Sequence, residues 1–292
     1  MKSVAIVSGK GGTGKTSFTA ALSVVAARKL KIVVADCDVD APNLTRMLLS
    51  ENSEVKEEKT FSSEKAEIDK RLCKKCYACI KTCNFGALRI GKDGFPEVQK
   101  IYCEGCGVCT LVCKEGAIRI TRINNGKIIY GKSKYGFCFV GGKLEIGESG
   151  SGKIVAEVKK KAREIAKNEN AELLLIDSSP GIGCPVIASL SGVETAIIVT
   201  EPSISALSDM EKVLKVIEHF GIKPYVVVNK ASINPEIKKK ILEVCSKRKI
   251  EVIAEFPFDE VFVKSVNSLT PLPLLTQKYD KIFEKMLCLL LE

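Results

Sequence analysis

Short apolar runs rich in β-branched residues alternate along this chain with longer stretches whose apolar positions recur at helical spacing. The runs fall at 4–7, 32–35, 173–176, 196–199, 225–228 and 251–254. Most are continuously apolar, as expected of strands buried on both faces. The helical patterns lie at about 17–30, 154–167, 205–219 and 235–247. Strands alternating with helices predict an α/β fold, a mostly parallel sheet with helices on both faces.

The alternation fails between about 51 and 130. Residues 51–70 are polar and charged, and two cysteine runs follow. This stretch contains an internal repeat. Cys83-Asn84-Phe85-Gly86-Ala87-Leu88-Arg89-Ile90 returns as Cys113-Lys114-Glu115-Gly116-Ala117-Ile118-Arg119-Ile120. Each half therefore ends in the same turn and short strand. So little apolar material makes a poor core, and bound metal is expected to hold the stretch together. The predicted organisation is a main domain of residues 1–60 and 123–292, interrupted by a small α+β module at 61–122. Residues 126–147 look like a glycine-rich hairpin leading back to the main domain.

A chain of 292 residues has room for both parts. Its first residues lack the layout of a signal peptide, and no apolar run approaches the ~18 residues of a membrane span. The expected location is the cytoplasm. Thirteen cysteines in such a chain point to metal or cluster ligands rather than disulfides. The net charge is +10, but the lysine triplets at 159–161 and 238–240 sit on predicted helices with acidic neighbours and look like solvated faces. With no Trp and 6% aromatic residues there is little on which bases could stack, and no nucleic-acid partner is expected. The tail at 274–292 is apolar on one side and fits a packed terminal helix, with a membrane-surface helix as the alternative. Membrane association is not expected. The one histidine, His219, falls at a helix end.

Cys73, Cys76, Cys79 and Cys83 are spaced C-x2-C-x2-C-x3-C, and Cys103, Cys106, Cys109 and Cys113 repeat that spacing 30 residues later. This is the ligand pattern of a two-cluster bacterial-type ferredoxin, in which the fourth cysteine of each run serves the other cluster. Zinc is the rival for paired C-x2-C ligands. Two identical runs favour two 4Fe-4S clusters. Cross-ligation assigns Cys73, Cys76, Cys79 and Cys113 to one, and Cys83, Cys103, Cys106 and Cys109 to the other. Asn84 and Lys114 stand where a proline usually follows the fourth cysteine. Lys74 and Lys75 flank the first site, either as a solvated loop or as an attraction for an acidic redox partner.

The first strand runs into Gly9-Lys10-Gly11-Gly12-Thr13-Gly14-Lys15-Thr16, with Ser17 next. This fits G-x-x-x-x-G-K-[ST] between a strand and a helix, the context a phosphate loop needs. Glycines let backbone N–H groups curl around phosphate oxygens, and the helix N-terminus adds positive potential. Lys15 should reach the β- and γ-phosphates of ATP, and the Thr16 hydroxyl should ligate Mg2+.

The second lysine of the loop, Lys10, makes it similar to the deviant Walker A family of MinD, ParA, Mrp and the nitrogenase iron protein. The resemblance implies a dimer that closes on ATP, with Lys10 acting on the partner's phosphates. Asp36-Cys37-Asp38-Val39-Asp40 resembles that family's first switch. There Asp38 matches the carboxylate that positions the attacking water, and Asp36 should lie near Mg2+. Asp177 ends an apolar strand in the Walker B manner and should hold Mg2+ through water. Residues 178–183 resemble the second switch. Asn229 matches the adenine-reading position, and Pro257 lies in a segment that lines the base. Gly147 to Lys153 also fits the phosphate-loop spacing, but Ile154 replaces the Ser or Thr, and a turn capping the next helix is the expected reading. Cys184 sits seven residues after Asp177, where the nitrogenase iron protein has a cluster ligand. The alternatives are a subunit-bridging cluster, with Cys138 assisting, and a packed cysteine at a helix start. Cys245 and Cys288 lie in amphipathic patterns and are expected to be buried.

The resemblance implies a Mg2+-dependent ATPase, and the cysteine runs add two 4Fe-4S clusters. The main expectation is ATP-driven closure coupled to electron transfer. The alternatives are an Mrp-like ATPase for cluster or metal-cofactor assembly and a MinD- or ParA-like positioning ATPase. Expected partners are a second copy or a related ATPase, and a redox or cluster-acceptor protein.

Overall fold

A computed structural model describes every residue except Ser149. The chain opens with β1 (Lys2–Ser8), α1 (Lys15–Ala27), β2 (Ile32–Cys37), α2 (Asn43–Leu48) and β3 (Val55–Thr60). The cysteine-rich stretch follows as β4 (Ser63–Ile68), α3 (Ala78–Thr82), β5 (Leu88–Ile90), β6 (Pro96–Val98), α4 (Val108–Leu111) and β7 (Ile118–Ile123). Next come β8 (Gly126–Lys132), β9 (Cys138–Leu144), α5 (Ser151–Asn168), β10 (Leu173–Pro180) and α6 (Cys184–Leu190). The chain ends with β11 (Thr195–Thr200), α7 (Ile204–His219), β12 (Lys223–Val228), α8 (Pro235–Lys247), β13 (Glu251–Glu255), α9 (Glu260–Asn267) and α10 (Asp280–Leu291).

Two compact units result. One comprises Met1–Glu58, Ile128–Lys143 and Ser151–Glu292, and the other comprises Lys59–Lys127 with Leu144–Gly150. The second unit thus takes in Leu144–Gly150, which the sequence assigned to the main domain. The physical reason is Asn125, fully buried. Its Oδ1 accepts from the Ser62 N–H at 3.1 Å, its N–H donates to Thr60 O at 3.1 Å, and its carbonyl accepts from the Glu145 N–H at 3.0 Å. One asparagine therefore stitches the two ends of the insert to a segment 20 residues downstream.

In the first unit, nine strands form one sheet in the order β13-β12-β11-β1-β10-β2-β9-β8-β3. From β13 to β9 every pairing is parallel. The α/β fold expected from the alternation is present, and the central strands are buried along nearly their whole length. The hairpin region instead supplies β8 and β9 to this sheet, and β9 runs parallel to β2. The polar stretch beginning at 51 supplies β3, whose row of Lys and Glu side chains is exposed at the sheet edge. Charge on an edge strand discourages further strand addition. On one face α1 packs with α10: Phe18 lies 5.7 Å from Phe283, ring to ring, and Phe256 closes the cluster at 5.3 Å from Phe283. Thus α10 spends Phe283, Met286, Leu287 and Leu290 on the core. No helix among the described residues is long and apolar enough to cross a membrane.

Lys159 corrects one reading. It lies on α5 and is 3% exposed, not solvated. Its ammonium donates to the carbonyls of Ala188, Ser189 and Ser191 at 2.6, 2.7 and 2.6 Å, the C-terminal end of α6. Burial pushes its pKa down to about 8, and the nearby Arg163 charge adds to this. Three short acceptors match the three protons of an ammonium and favour a cation at a helix C-terminus.

The second unit pairs β4 with β7 and β5 with β6, both antiparallel. Its core is small: Ala66, Cys79, Ala87, Leu88, Cys103, Cys109 and Ile118.

Candidate functional site

The phosphate loop joins β1 to α1. A Cβ at Gly9 would stand 2.5 Å from the Asp209 backbone. Gly14 is left-handed, at φ 92°, and a Cβ there would collide with the Asn229 amide. These close approaches leave room only for glycine. No side chain caps the first turn of α1, so its N–H groups remain available to phosphate. Thr13 is 2% exposed and its hydroxyl is buried with no protein partner, an orphan that a phosphate oxygen or water would satisfy.

The strand register sets two carboxylates side by side, with Asp177 of β10 opposite Asp36 of β2. Asp177 is fully buried. Its Oδ1 accepts from Lys15 Nζ at 3.1 Å and from the Thr19 hydroxyl at 2.8 Å, and its Oδ2 accepts from Thr16 at 2.8 Å. Asp36 accepts the Thr45 N–H and hydroxyl at 2.9 and 2.8 Å. Burial, and then the Asp177 charge, push the Asp36 pKa up to about 7. A divalent cation beside such a pair would relieve both the burial and the repulsion. Thr16, Asp177 and Asp36 thus form a donor set that suits Mg2+. Burial also raises the Asp38 pKa, against the pull of Lys15.

A cavity of about 530 Å³ opens here. Gly11, Gly12, Thr13, Gly14, Lys15, Thr16, Ser17 and Asp38 line it. Val266 of α9 and Leu269 form an apolar wall that sequence reasoning missed. The available signal was an eight-residue amphipathic helix after Asp259, whose carboxylate caps α9 through the Val261 N–H at 3.0 Å. Pro257, expected against the base, is exposed and outside this wall. Asn229 braces the loop, donating to Thr13 O at 2.8 Å.

Lys10 is held within its own chain. Its ammonium lies 2.7 Å from Glu201 and donates to Ser203 and Ser205 at 3.1 and 3.2 Å. Glu201 also pairs with Lys230 at 2.7 Å, and Lys230 donates to Gly12 O at 2.9 Å. These two cations, working against burial, hold the Glu201 pKa below the usual carboxylate range. Glu201 was not singled out in the sequence. The visible signal was an acidic residue ending the strand after 199.

In the second unit the cysteines surround two cavities. Cys73, Cys76, Cys79 and Cys113 line the first, of about 300 Å³. Cys83, Cys103, Cys106 and Cys109 line the second, of about 120 Å³. Each cavity therefore takes three thiols from one run and the fourth from the other. The repeat is kept at the backbone. Lys75 and Gly105 are both left-handed, as are Tyr77 and Gly107, at φ values between 55° and 78°. The Ala87 N–H donates to Cys83 Sγ at 3.4 Å and the Ala117 N–H to Cys113 Sγ at 3.3 Å. In the second cavity, the Ala66 N–H adds a bond to Cys103 Sγ at 3.4 Å. Burial pushes the Cys79 and Cys109 thiols up. Among the described residues, no three His, Cys, Asp or Glu side chains gather closely enough for one metal ion. The thiols are spread around cavities rather than drawn to a point.

The remaining cysteines are scattered. Cys37 and Cys245 are buried, Cys138 is half-buried at the start of β9, and Cys184 is exposed at the first residue of α6. Cys288 is exposed on α10, contrary to expectation, because the core-facing positions of that helix are taken by Phe283, Met286, Leu287 and Leu290. The second loop-like segment includes Ser149, outside the described residues; its Gly152 and Lys153 lie in the first turn of α5.

Known proteins are similar to this chain in sequence or in fold. The uncharacterized protein MJ0578 of Methanocaldococcus jannaschii is 38% identical over 234 residues, 79% of this chain and 79% of its own length. The uncharacterized protein MJ0579 of the same organism is 31% identical, over 80% of this chain and 82% of its own. Among solved structures, the Pyrococcus furiosus cell division ATPase MinD aligns with a TM-score of 0.59 at 19% identity, covering 99% of each chain. MinD from Pyrococcus horikoshii, complexed with Mg-ADP, aligns at 0.57 and 19% identity over 98% of this chain and 93% of its own. A chain of the Aquifex aeolicus MinC:MinD cell division protein complex gives 0.58 and 21%, over 100% of this chain and 96% of its own. Residues 4–272 match the CobQ/CobB/MinD/ParA nucleotide binding domain, and with the phosphate loop, paired aspartates and parallel sheet in place, the chain belongs to that family.

Proposed function

We propose that this protein is a Mg2+-dependent ATPase that carries two 4Fe-4S clusters in its second unit and couples its nucleotide cycle to electron transfer. The observation that carries the cluster reading is the crossed arrangement of thiols, three from one run and one from the other around each cavity. Crossed ligation by two runs of this spacing is the ligand pattern of two polynuclear clusters. When bound, such clusters supply one-electron transfer. Cys73, Cys76, Cys79 and Cys113 would hold one and Cys83, Cys103, Cys106 and Cys109 the other.

In the ATPase unit Lys15 binds the β- and γ-phosphates, and Thr16, Asp36 and Asp177 surround Mg2+. Asp38 orients the attacking water. Lys10 leaves Glu201 to act on the phosphates of a partner, either a second copy or a related ATPase. Coupling has a physical route. Residues 178–183 follow Asp177 and lead into α6, and Lys159 of α5 grips the far end of α6. The insert's last segment, Leu144–Gly150, runs directly into α5 at Ser151. A nucleotide-driven shift of 178–183 therefore reaches the point where the insert rejoins the chain.

The likeness to MinD structures favours a second reading, a positioning ATPase. At about 20% identity it speaks for the fold alone, and a positioning role gives the eight thiols no task. An Mrp-like role, with clusters as cargo, is a third outcome. Iron and sulfide analysis with anaerobic EPR of the reduced protein, with and without MgATP, separates the three. About eight irons, with spectra or potentials that move with MgATP, support the coupled cycle. Irons indifferent to nucleotide but lost to an apo-acceptor point to cluster delivery. No iron after anaerobic preparation leaves the positioning ATPase.

A further inference from the structure

The internal repeat makes a natural comparison, because it holds the ligands constant and varies the rims. Between the first two cysteines of each run stand Lys74-Lys75 in one half and Glu104-Gly105 in the other. After the fourth cysteine stand Asn84-Phe85 and Lys114-Glu115. Because the fourth cysteine crosses over, the first cavity collects Lys74 and Lys114, with Glu115, on its wall. The second collects Glu104, Asn84, Phe85 and Val108, and no lysine. Lys74 and Lys114 are exposed, and neither has an ion-pair or hydrogen-bond partner for its ammonium among the described residues. Three arginines of this unit are committed, Arg71 to Asp69, Arg89 to Glu97 and Arg119 to Glu67, and the exposed Lys81, Lys92 and Lys100 line neither cavity. Cys76, on the same cavity wall, is exposed, and Leu72, beside Cys73, is 49% exposed.

Resting on the cluster reading above, we propose that the rim of the first cavity is the docking port for an acidic one-electron carrier protein, and that the second rim is not. A cluster held by four thiolates is net anionic and repels an acidic partner. Lys74 and Lys114 offset that repulsion at the first cavity, while Glu104 adds to it at the second. Exposed cations around a small apolar centre steer encounter, and the gain lies mainly in association rate and orientation. The redox step is simple. Cys73, Cys76, Cys79 and Cys113 would hold the one-electron acceptor, so the reduced partner would lose one electron to it with no bond or proton exchanged.

The test uses the full chain reconstituted anaerobically, with iron and sulfide measured for every variant. A reduced, acidic bacterial-type ferredoxin is the probe, and an acidic flavodoxin is the second. Binding is read by calorimetry, contact by carbodiimide cross-linking with peptide mapping, and electron transfer by stopped-flow absorbance. The expected result is tighter binding at low salt and cross-links at Lys74 or Lys114. In the Lys74→Glu/Lys114→Glu double variant, the association rate should fall roughly tenfold or more at low salt, with most of its salt dependence lost. Lys74→Ala/Lys114→Ala should fall part of the way. Lys239→Glu/Lys240→Glu on α8 carries the same charge change and should match the parent. The proposal is overturned if the rim variants retain full iron yet bind and react like the parent, if cross-links map elsewhere, or if neither probe binds at low salt. In those cases the cluster reading still stands. A chain that takes up no iron overturns both.

Discussion

The nucleotide site and the thiol cavities belong to one chain but are held together by different means. Around the phosphate loop the protein supplies its own partners. Asp177 takes three hydrogen bonds, Asp36 is fixed by Thr45, and Asn229 and Lys230 brace the loop from behind. The site stands on a nine-stranded sheet with a large core. The thiol cavities stand on β5 and β6, three residues each, and on helices of four or five residues. Three of the seven buried residues in that core are the cysteines Cys79, Cys103 and Cys109. The first site is built by the fold. On the proposed reading, bound clusters would supply much of what so small a core cannot.

The hardest test of that contrast is Cys109→Ala. Iron should fall from about eight to about four per chain, and the insert should become a ready trypsin target. The nine-stranded unit should keep its circular dichroism and its nucleotide affinity. If both units melt together, the two sites are not energetically separate. The reverse test is Lys15→Ala. ATP turnover should fall on the order of 10²–10³-fold, as when one preorganised donor to developing charge is lost, while iron content and the insert's protease resistance stay at parent level. Steady-state hydrolysis beside iron analysis checks both.

The same contrast decides what was legible in the sequence. The phosphate loop and the cysteine runs are local patterns, and the buried strands announce themselves by unbroken apolar character. What escaped depends on contacts remote in sequence. The edge strand β3 is almost all charged and exposed, so no alternation marks it. Lys159 belongs to an ordinary-looking lysine triplet, and only its distance to the end of α6 makes it a cap. Asn125 joins Thr60 to Glu145, and nothing near it in sequence says so. Val266 of the short helix α9, and Leu269 just beyond it, reach the nucleotide cavity from a segment far from the phosphate loop in sequence.

Within the nucleotide site, Asp36 sharpens the account of a carboxylate pair that its fold alone does not make comfortable. Its folded pKa, about 7, lies above the ordinary aspartate value of 3.8. The native state therefore holds a proton that the unfolded chain has lost. This contribution is fully present below about pH 4 and is lost as pH rises through 7. Stability should decline between those values on this account, by an amount on the order of a few kcal/mol. Asp36→Asn should flatten that slope and melt higher than the parent at pH 8, with the difference shrinking towards pH 4. Added Mg2+ should raise the parent's melting temperature at pH 8 and do little for the variant. Thermal melts across pH, with and without Mg2+, measure both. An unchanged slope in the variant would locate the pH dependence elsewhere.

The smallest effect concerns the two loop lysines, which repeat the contrast on the scale of side chains. Lys15 is buried and locked to Asp177, its side chain 6% exposed. Lys10 is 28% exposed and held by Glu201, a partner it shares with Lys230. A partly exposed pair of this kind contributes about 0–1 kcal/mol. Glu201→Gln should therefore leave the melting temperature within a degree or two of the parent. It should free Lys10 more often, since the amide no longer attracts the ammonium while Ser203 and Ser205 remain. If Lys10 works on a partner's phosphates, its release precedes dimer closure. The variant should then show a two- to fivefold rise in ATP turnover at low protein concentration, converging on the parent as concentration rises, where association no longer limits. Lys10→Ala in the same background should erase the gain. Turnover measured against protein concentration distinguishes this from a change in chemistry, which would raise both ends of the curve. A variant that hydrolyses more slowly at every concentration would mean that Glu201 positions Lys10 for catalysis rather than holding it back.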